Sequence, residues 1–526
     1  MRRYFGTFFA VLAILMLIPA CEKEDPSTTP TTPTTPTSTT DPVTPGTSHS
    51  EYYEINKYLR SSIFDRYYYW AENVKAANSK LDPDKYTTDD FFYEMLYSGD
   101  RWSWCMEGKE YGATTTVDGT WGISLGQPIE YYDDYGPYVC FIYPTSPLAK
   151  FGVTRGAHLM KISGVDVSVI RTQSQINVIN AGLATSPQEF TFRLVDGRDT
   201  TFKASWSNDM EFTTSLCHRI FTSDDFEGLK EPVGYFNYMS FNERYLTDID
   251  RAMMEFREAE IKKLIVDLRY NSGGSSVASQ RMMDYLTPEQ YTGTFYSEKE
   301  FNKNVSEAYR NSKIDTKDYV RTTKDSFGNN ISEYVNLGTH YEILDEKIVK
   351  PLSLEDVYFI SGSVSASASE KLINELQPFL EGHTYVVGGK TYGKPNGMII
   401  FYYPDNKESD EAYLEGEFDK LDYLFFPISF YTKNHNGGYI PDDGFDPDVY
   451  RADDLFHDFD EKEASINACL THAATGVFPE PPAKTKSLPA SGKKADFRVL
   501  PFERNEKQCG LIWRPTTDST ITETDK

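Results

Sequence analysis

Leu264-Ile265-Val266-Asp267-Leu268-Arg269-Tyr270-Asn271-Ser272-Gly273-Gly274 is the stretch on which the fold turns. An unbroken apolar run of strand length, ending in a polar loop with paired glycines, has the pattern of a strand buried on both faces. Such strands belong to parallel sheets with helical crossovers, and functional groups collect beyond their carboxyl ends. The neighbouring sequence keeps the same alternation. Gly234 to Tyr238 reads as a strand, Leu246 to Ala259 as a helix, Val357 to Ile360 as a strand, Ala366 to Phe379 as a helix and Thr384 to Val387 as a strand. Hairpin-like strands follow at Gly397 to Tyr403 and Tyr423 to Tyr431. The expected core is α/β, a mixed sheet with flanking helices over residues 207–475.

Three strand ends in this core carry groups that can do chemistry. Gly273 and Gly274 let the backbone turn sharply and leave N–H groups uncovered by side chains, as an oxyanion hole requires. Ser361-Gly362-Ser363-Val364-Ser365-Ala366-Ser367-Ala368-Ser369-Glu370 runs from a strand into a helix. A serine there has the helix dipole and free N–H groups beside it, which favour a developing oxyanion, although serine also serves such positions as an N-cap. Ser365, Ser367 and Ser369 all compete for that role. Val386-Val387-Gly388-Gly389-Lys390-Thr391-Tyr392-Gly393-Lys394 places Lys394 in a turn after an apolar strand. A lysine acting as a base near neutral pH needs its pKa lowered by about 3 units, which burial can supply.

Upstream, residues 109–206 change to short alternating strands punctuated by Gly and Pro. Ser146 to Val153 reads as a short helix, and Arg155-Gly156-Ala157-His158-Leu159-Met160-Lys161-Ile162-Ser163-Gly164 as turn, strand and turn. This order resembles a PDZ domain. The resemblance puts Gly122-Ile123-Ser124-Leu125-Gly126 where PDZ domains hold a peptide's terminal carboxylate, with free N–H groups for the anion and a strand edge for the peptide. His158 departs from the Asp usual in proteolytic relatives. Residues 51–108 carry aromatic and apolar residues at helical spacing and read as a small helical domain.

The termini and composition set the context. Arg2 and Arg3 precede an apolar run from Phe5 to Ile18, which has the length of a signal-peptide core. Ile18-Pro19-Ala20-Cys21 resembles the lipobox of bacterial lipoproteins, implying acylation of Cys21 in a signal of residues 1–21. The Thr/Pro-rich segment in 22–50 is an extended tether. Glu22, Glu24 and Asp25 resemble a surface-export signal, so an envelope lipoprotein is expected, periplasmic or on the outer surface. The other cysteines, Cys105, Cys140, Cys217, Cys469 and Cys509, are widely spaced and form no zinc or redox motif. With 53 basic and 79 acidic residues, the net charge of −26 repels nucleic acid and anionic lipid, leaving the lipid anchor as the membrane contact. Residues 476–526 return to Pro, Lys and Ser and receive no role.

Taken in order over residues 51–450, the glycine loop, the Ser-Ala-Ser-Glu helix start and the Tyr-Gly-Lys turn, downstream of a PDZ-like module, resemble the C-terminal processing (tail-specific) serine proteases. The resemblance implies a serine endopeptidase acting on unfolded or tail-exposed proteins, with Ser367 as nucleophile and Lys394 as general base. It implies oxyanion donors from Ala368 and the Gly273-Gly274 loop, no metal or organic cofactor, and a lid or homodimer role for 51–108. Two positions depart from the family pattern: Met398 stands where a Gln is common four residues after the lysine, and Pro395 follows the lysine directly. A Ser-His-Asp arrangement using His218 or His383 is the competing site. A catalytically silent surface lipoprotein that binds peptide or glycan is the competing function.

Overall fold

The strand Lys263–Asp267 lies inside a six-stranded sheet, between Asp356–Ser361 and Val233–Asn237 and parallel to both. The sheet continues to Thr384–Gly388 and Val449–Tyr450 on one side, both parallel, and ends at the antiparallel His218–Phe221 on the other. Because side chains alternate along a strand, Leu264 and Val266 face one core and Ile265 the other. The first core is closed by helices Leu246–Glu258, Ser276–Leu286 and Ala368–Leu376, through Met253, Phe256, Met282 and Leu372. The second is closed by helix Ala464–Thr475, through Ile466 and Leu470. Burial on both faces is why Lys263–Asp267 reads as a continuous apolar run.

The computed structural model describes residues 49–115, 121–126, 136–170, 172–207, 213–242, 245–313, 315–321 and 349–480. Cys21, the leader, the tether and the last 46 residues of the tail, 481–526, lie outside the described residues. The chain divides into two units, residues 1–110 with 399–428, and residues 111–398 with 429–526.

In the first unit, helices Tyr53–Tyr58, Ala71–Asn78 and Thr88–Glu94 enclose Leu59, Ile63, Phe64, Phe91 and Phe92. Strand Trp104–Glu107 pairs antiparallel with Tyr423–Phe426, which pairs with Phe401–Tyr403. Residues 399–428 thus leave the run 207–475 expected for one core and complete the helical segment 51–108. The cause is apolar: Phe401 and Phe425 join the Phe91 and Phe92 core, with Phe92 and Phe425 stacked at 5.9 Å.

Within the second unit, residues 121–206 form an antiparallel sheet in the order Ile123–Gly126, Tyr138–Ile142, His158–Ile162, Gln188–Arg193, Asp199–Ala204. Helix Gln173–Leu183 buries Ile176 and Ile179 in the core of this module. Thr172 and Gln175 form a capping box at its start. His158 stacks on Tyr138 at 4.1 Å and meets the Ser168 carbonyl through Nε2 at 2.8 Å, an internal packing role. A separate four-stranded sheet has the order Lys317–Tyr319, Phe295–Phe301, Ile428–Asn434, Asn396–Met398.

Candidate active site

The carboxyl ends of the two central parallel strands bring the glycine loop and the serine-rich helix start together. Ser365 and Ser369 are fully buried, and their hydroxyls donate to the Leu268 carbonyl and the Asn271 carbonyl, both at 2.8 Å. These two serines are stitches between the strand ends, which removes them as nucleophile candidates. Ser367, between them, is only half-buried and holds φ 54° and ψ −113°. Positive φ is rare for a residue with a Cβ and persists only where its surroundings enforce it. Here the enforcement is a helix that starts at Ala368 and a carboxylate that binds the serine's own N–H.

That carboxylate is Glu370, and the sequence reading did not single it out as a site residue. Its Oε1 accepts the Thr391 hydroxyl at 2.6 Å and the Gly393 N–H at 2.7 Å. Its Oε2 accepts the Lys394 N–H at 2.8 Å and the Ser367 N–H at 3.1 Å. One buried side chain therefore ties the backbone of Ser367 to the whole Thr391–Lys394 turn. Burial raises the Glu370 carboxyl above its ordinary value, opposed by the bonds from Thr391, Lys394, Gly393 and Ser367. The available signal was the capping-box spacing Ser367-x-x-Glu370, in which the glutamate reaches back to the N-cap amide.

The glycine loop closes the site from the other side. A Cβ on Gly273 would sit 2.8 Å from Ser367 Cβ and 2.9 Å from the Ala368 nitrogen, and φ is 105°. A Cβ on Gly274 would sit 2.2 Å from the Phe241 carbonyl oxygen, at φ 135°. Both positions require glycine for close backbone approach. The Gly273 N–H is bound to Asn271 Oδ1 at 2.9 Å. Among the described residues no acceptor takes the N–H of Gly274 or of Ala368. Of the three donors expected, Gly273 instead supplies room beside the serine.

Lys394 is half-buried at the end of the turn, and Tyr392 gives its N–H to the Ser365 carbonyl at 3.0 Å. The histidines of the competing triad lie with other partners. His218 meets Glu255 at 3.0 Å and His383 meets Asp356 at 2.9 Å. His383 precedes the strand Thr384–Gly388, whose register pairs Thr384 with Val357 and Gly388 with Ser361. It therefore stands at the opposite end of the sheet from Ser367.

Behind the glycine loop lies a buried charged cluster. Arg269 bonds Asp267, Asp453 and Glu463, the last through two nitrogens at 2.6 and 2.9 Å. Arg155, from the module of residues 121–206, reaches the same Asp453 at 2.5 Å and the Tyr270 hydroxyl. Gly122 to Gly126, expected as a carboxylate loop, enters the edge strand Ile123–Gly126, with Ile123 and Leu125 buried.

Residues 232–451 match the model of peptidase family S41. Among solved structures, the fold is similar to that of a Bacteroides fragilis protein assigned to the S41 proteases. That match has 18% identity, spans 81% of this chain and 98% of the other, and has a TM-score of 0.56. It is also similar to a photosystem II D1 C-terminal processing protease, at 16% identity over 77% of this chain and 94% of the other, with a TM-score of 0.42. No curated protein matches the sequence.

Proposed function

With an S41 peptidase domain over residues 232–451 as the premise, we propose that the chain is a serine endopeptidase using Ser367 as nucleophile and Lys394 as general base. The observation that carries this reading is the Glu370 carboxylate, one oxygen of which holds the N–H groups of both residues. Lys394, neutral, takes the proton of Ser367 as its oxygen attacks the scissile carbonyl. The oxyanion is received by the N–H groups of Ala368 and Gly274, with Gly273 leaving the space. The oxyanion then collapses, the C–N bond breaks and the leaving amine takes the proton from Lys394. Water, losing its proton to the neutral Lys394, attacks the acyl-enzyme and frees Ser367, and the residues named need no metal or organic cofactor for these steps.

The substrate is an extended peptide from an unfolded or tail-exposed protein. Ile123–Gly126, an edge strand of its sheet, offers the backbone pairing of a PDZ-like groove. Export and acylation at Cys21 would place the enzyme in the cell envelope at the end of its tether, and the helical unit is the candidate lid or dimer element. Purified protein incubated with unfolded casein, beside Ser367→Ala and Lys394→Ala, tests the reading. Cleavage lost in both variants, with circular dichroism unchanged, is the expected outcome. An unmutated protein that leaves casein intact between about pH 6 and 9 points instead to a binding lipoprotein.

A further inference from the structure

Both polar atoms of the Asn396 side chain are buried without a hydrogen-bond partner, in a residue 4% exposed. Asn237 is the one other carboxamide among the described residues with both atoms unpaired. Buried polar groups are nearly always paired in native proteins, so an orphan at a reacting site points to a partner that arrives during the reaction. Asn396 stands two residues after Lys394 and opens the strand Asn396–Met398. Pro395 between them has a fixed φ and disfavours helical backbone at Lys394, so the chain runs extended through the pair. Its carbonyl accepts the Thr432 N–H at 3.3 Å. Side chains two apart on an extended chain leave on the same side. The Glu370 carboxylate already accepts two hydrogen bonds on each oxygen.

We propose that Asn396 is a positioning residue for Lys394, its Oδ1 receiving the lysine ammonium that forms when Ser367 attacks. The inference rests on the Ser-Lys reading above. In that step Ser367 Oγ bonds the carbonyl carbon, the carbonyl π pair moves to oxygen, and the Oγ–H proton passes to the lone pair of Lys394 Nζ. The new ammonium has three donors in a half-buried place. An acceptor empty in the resting enzyme and filled once the lysine is charged stabilises the transition state more than the ground state. Met398 lacks the amide that the family pattern puts there, and position 396 shares its face of the strand.

The test compares the full chain with Asn396→Ala, Asn396→Asp, and Asn396→Ala combined with Met398→Gln. A fluorophosphonate probe, which phosphonylates a reactive serine with loss of fluoride, reports the reactivity of Ser367 across about pH 6 to 10, and casein cleavage reports KM and kcat. Asn396→Ala is expected to slow labelling of Ser367 about tenfold to a hundredfold, leave KM unchanged and move the acidic limb to lower pH, because the charged lysine has lost an acceptor. Asn396→Asp, nearly the same shape, moves that limb to higher pH, and Met398→Gln recovers rate in the alanine background. Unchanged rate and limb in Asn396→Ala overturn the inference. So does a rate lowered equally at every pH with no recovery, which marks a packing role. Should Asn396→Ala fail to fold, an unmoved limb in Asn396→Asp overturns it. If the unmutated chain leaves Ser367 unlabelled, the Ser-Lys reading falls and this role falls with it.

Discussion

Gly273 lies so close to Ser367 that a methyl group on its Cα would come within 2.8 Å of the serine Cβ. The same methyl would meet the Ala368 nitrogen, whose N–H is proposed above as an oxyanion donor, at 2.9 Å. Gly273→Ala therefore strains a backbone at φ 105° and fills the space an oxyanion needs. Loss of one oxyanion donor typically lowers kcat by about a hundredfold to a thousandfold, and a fall of that order is expected. Casein cleavage and the far-UV spectrum are to be read together. Near-normal activity in a folded Gly273→Ala protein would place the reacting carbonyl elsewhere.

Glu370 meets four donors with two acceptor oxygens, which makes its charge and shape hard to replace. Glu370→Gln turns one end into an NH2 group facing N–H donors, so at least one pair on either Ser367 and Lys394 or Thr391 and Gly393 is broken. Hydrogen bonds to charged groups are worth about 1.5–3 kcal/mol each. We expect Glu370→Gln to lose about 2–4 kcal/mol of stability and most activity, since the Ser367 and Lys394 backbones lose their common anchor. Urea midpoints with fluorophosphonate labelling of Ser367 provide the check. Full labelling at unchanged stability would reduce Glu370 to an ordinary helix cap.

Much of this site was legible because short-range patterns carried it. Lys263 to Asp267 reads as a doubly buried strand from its apolar run alone, and the Ser367 helix start and the glycine pair follow from strand-end logic. The resemblance pointed to Ser367, but the residue pattern alone did not choose among Ser365, Ser367 and Ser369. That choice depends on which hydroxyls meet Leu268 and Asn271, residues nearly a hundred positions earlier in the chain. The membership of Phe401 and Phe425 in the helical unit was hidden for the same reason, as their partners Phe91 and Phe92 lie some three hundred positions away. The four-donor role of Glu370 depends on a turn more than twenty residues on.

Arg155 connects the module of residues 121–206 to the strand end that carries the glycine loop. Burial alone would raise the Asp453 carboxyl, but Arg155 and Arg269 hold it below the ordinary carboxylate range. Removing one partner of a buried charge network strands the other, at a cost of about 3–5 kcal/mol. Arg155→Met removes the guanidinium from over the Phe459 ring and leaves Asp453 to Arg269 and Tyr270. Destabilisation at the lower end of that range is expected at neutral pH and shrinks as the pH falls, because without Arg155 the Asp453 carboxyl is less depressed. A depressed Asp453 contributes stability above its unfolded pKa that is lost as pH falls through its folded one. Denaturant titrations of both proteins at about pH 4 and pH 7 decide it, and equal midpoints would mean the cluster is energetically slack.

The helix that starts beside Ser367 also carries a pH-dependent weakness at its far end. Glu375 is fully buried, and burial pushes its carboxyl up to about 7 even though Lys371 lies 2.9 Å away. One of its oxygens has no partner, while Asp318 is taken by Lys299 and Ser297. A carboxyl whose folded pKa exceeds its unfolded one binds more protons folded than unfolded in the interval between them. Stability therefore falls as pH rises from about 4.5 to about 7, by roughly 3 kcal/mol from this group, and stays low above. Glu375→Gln removes the titration while keeping the shape. Its stability relative to the unmutated protein should rise across that interval and then level off. A difference between the two that stays flat from about pH 4.5 to 8 would show that Glu375 remains ionised beside Lys371 throughout.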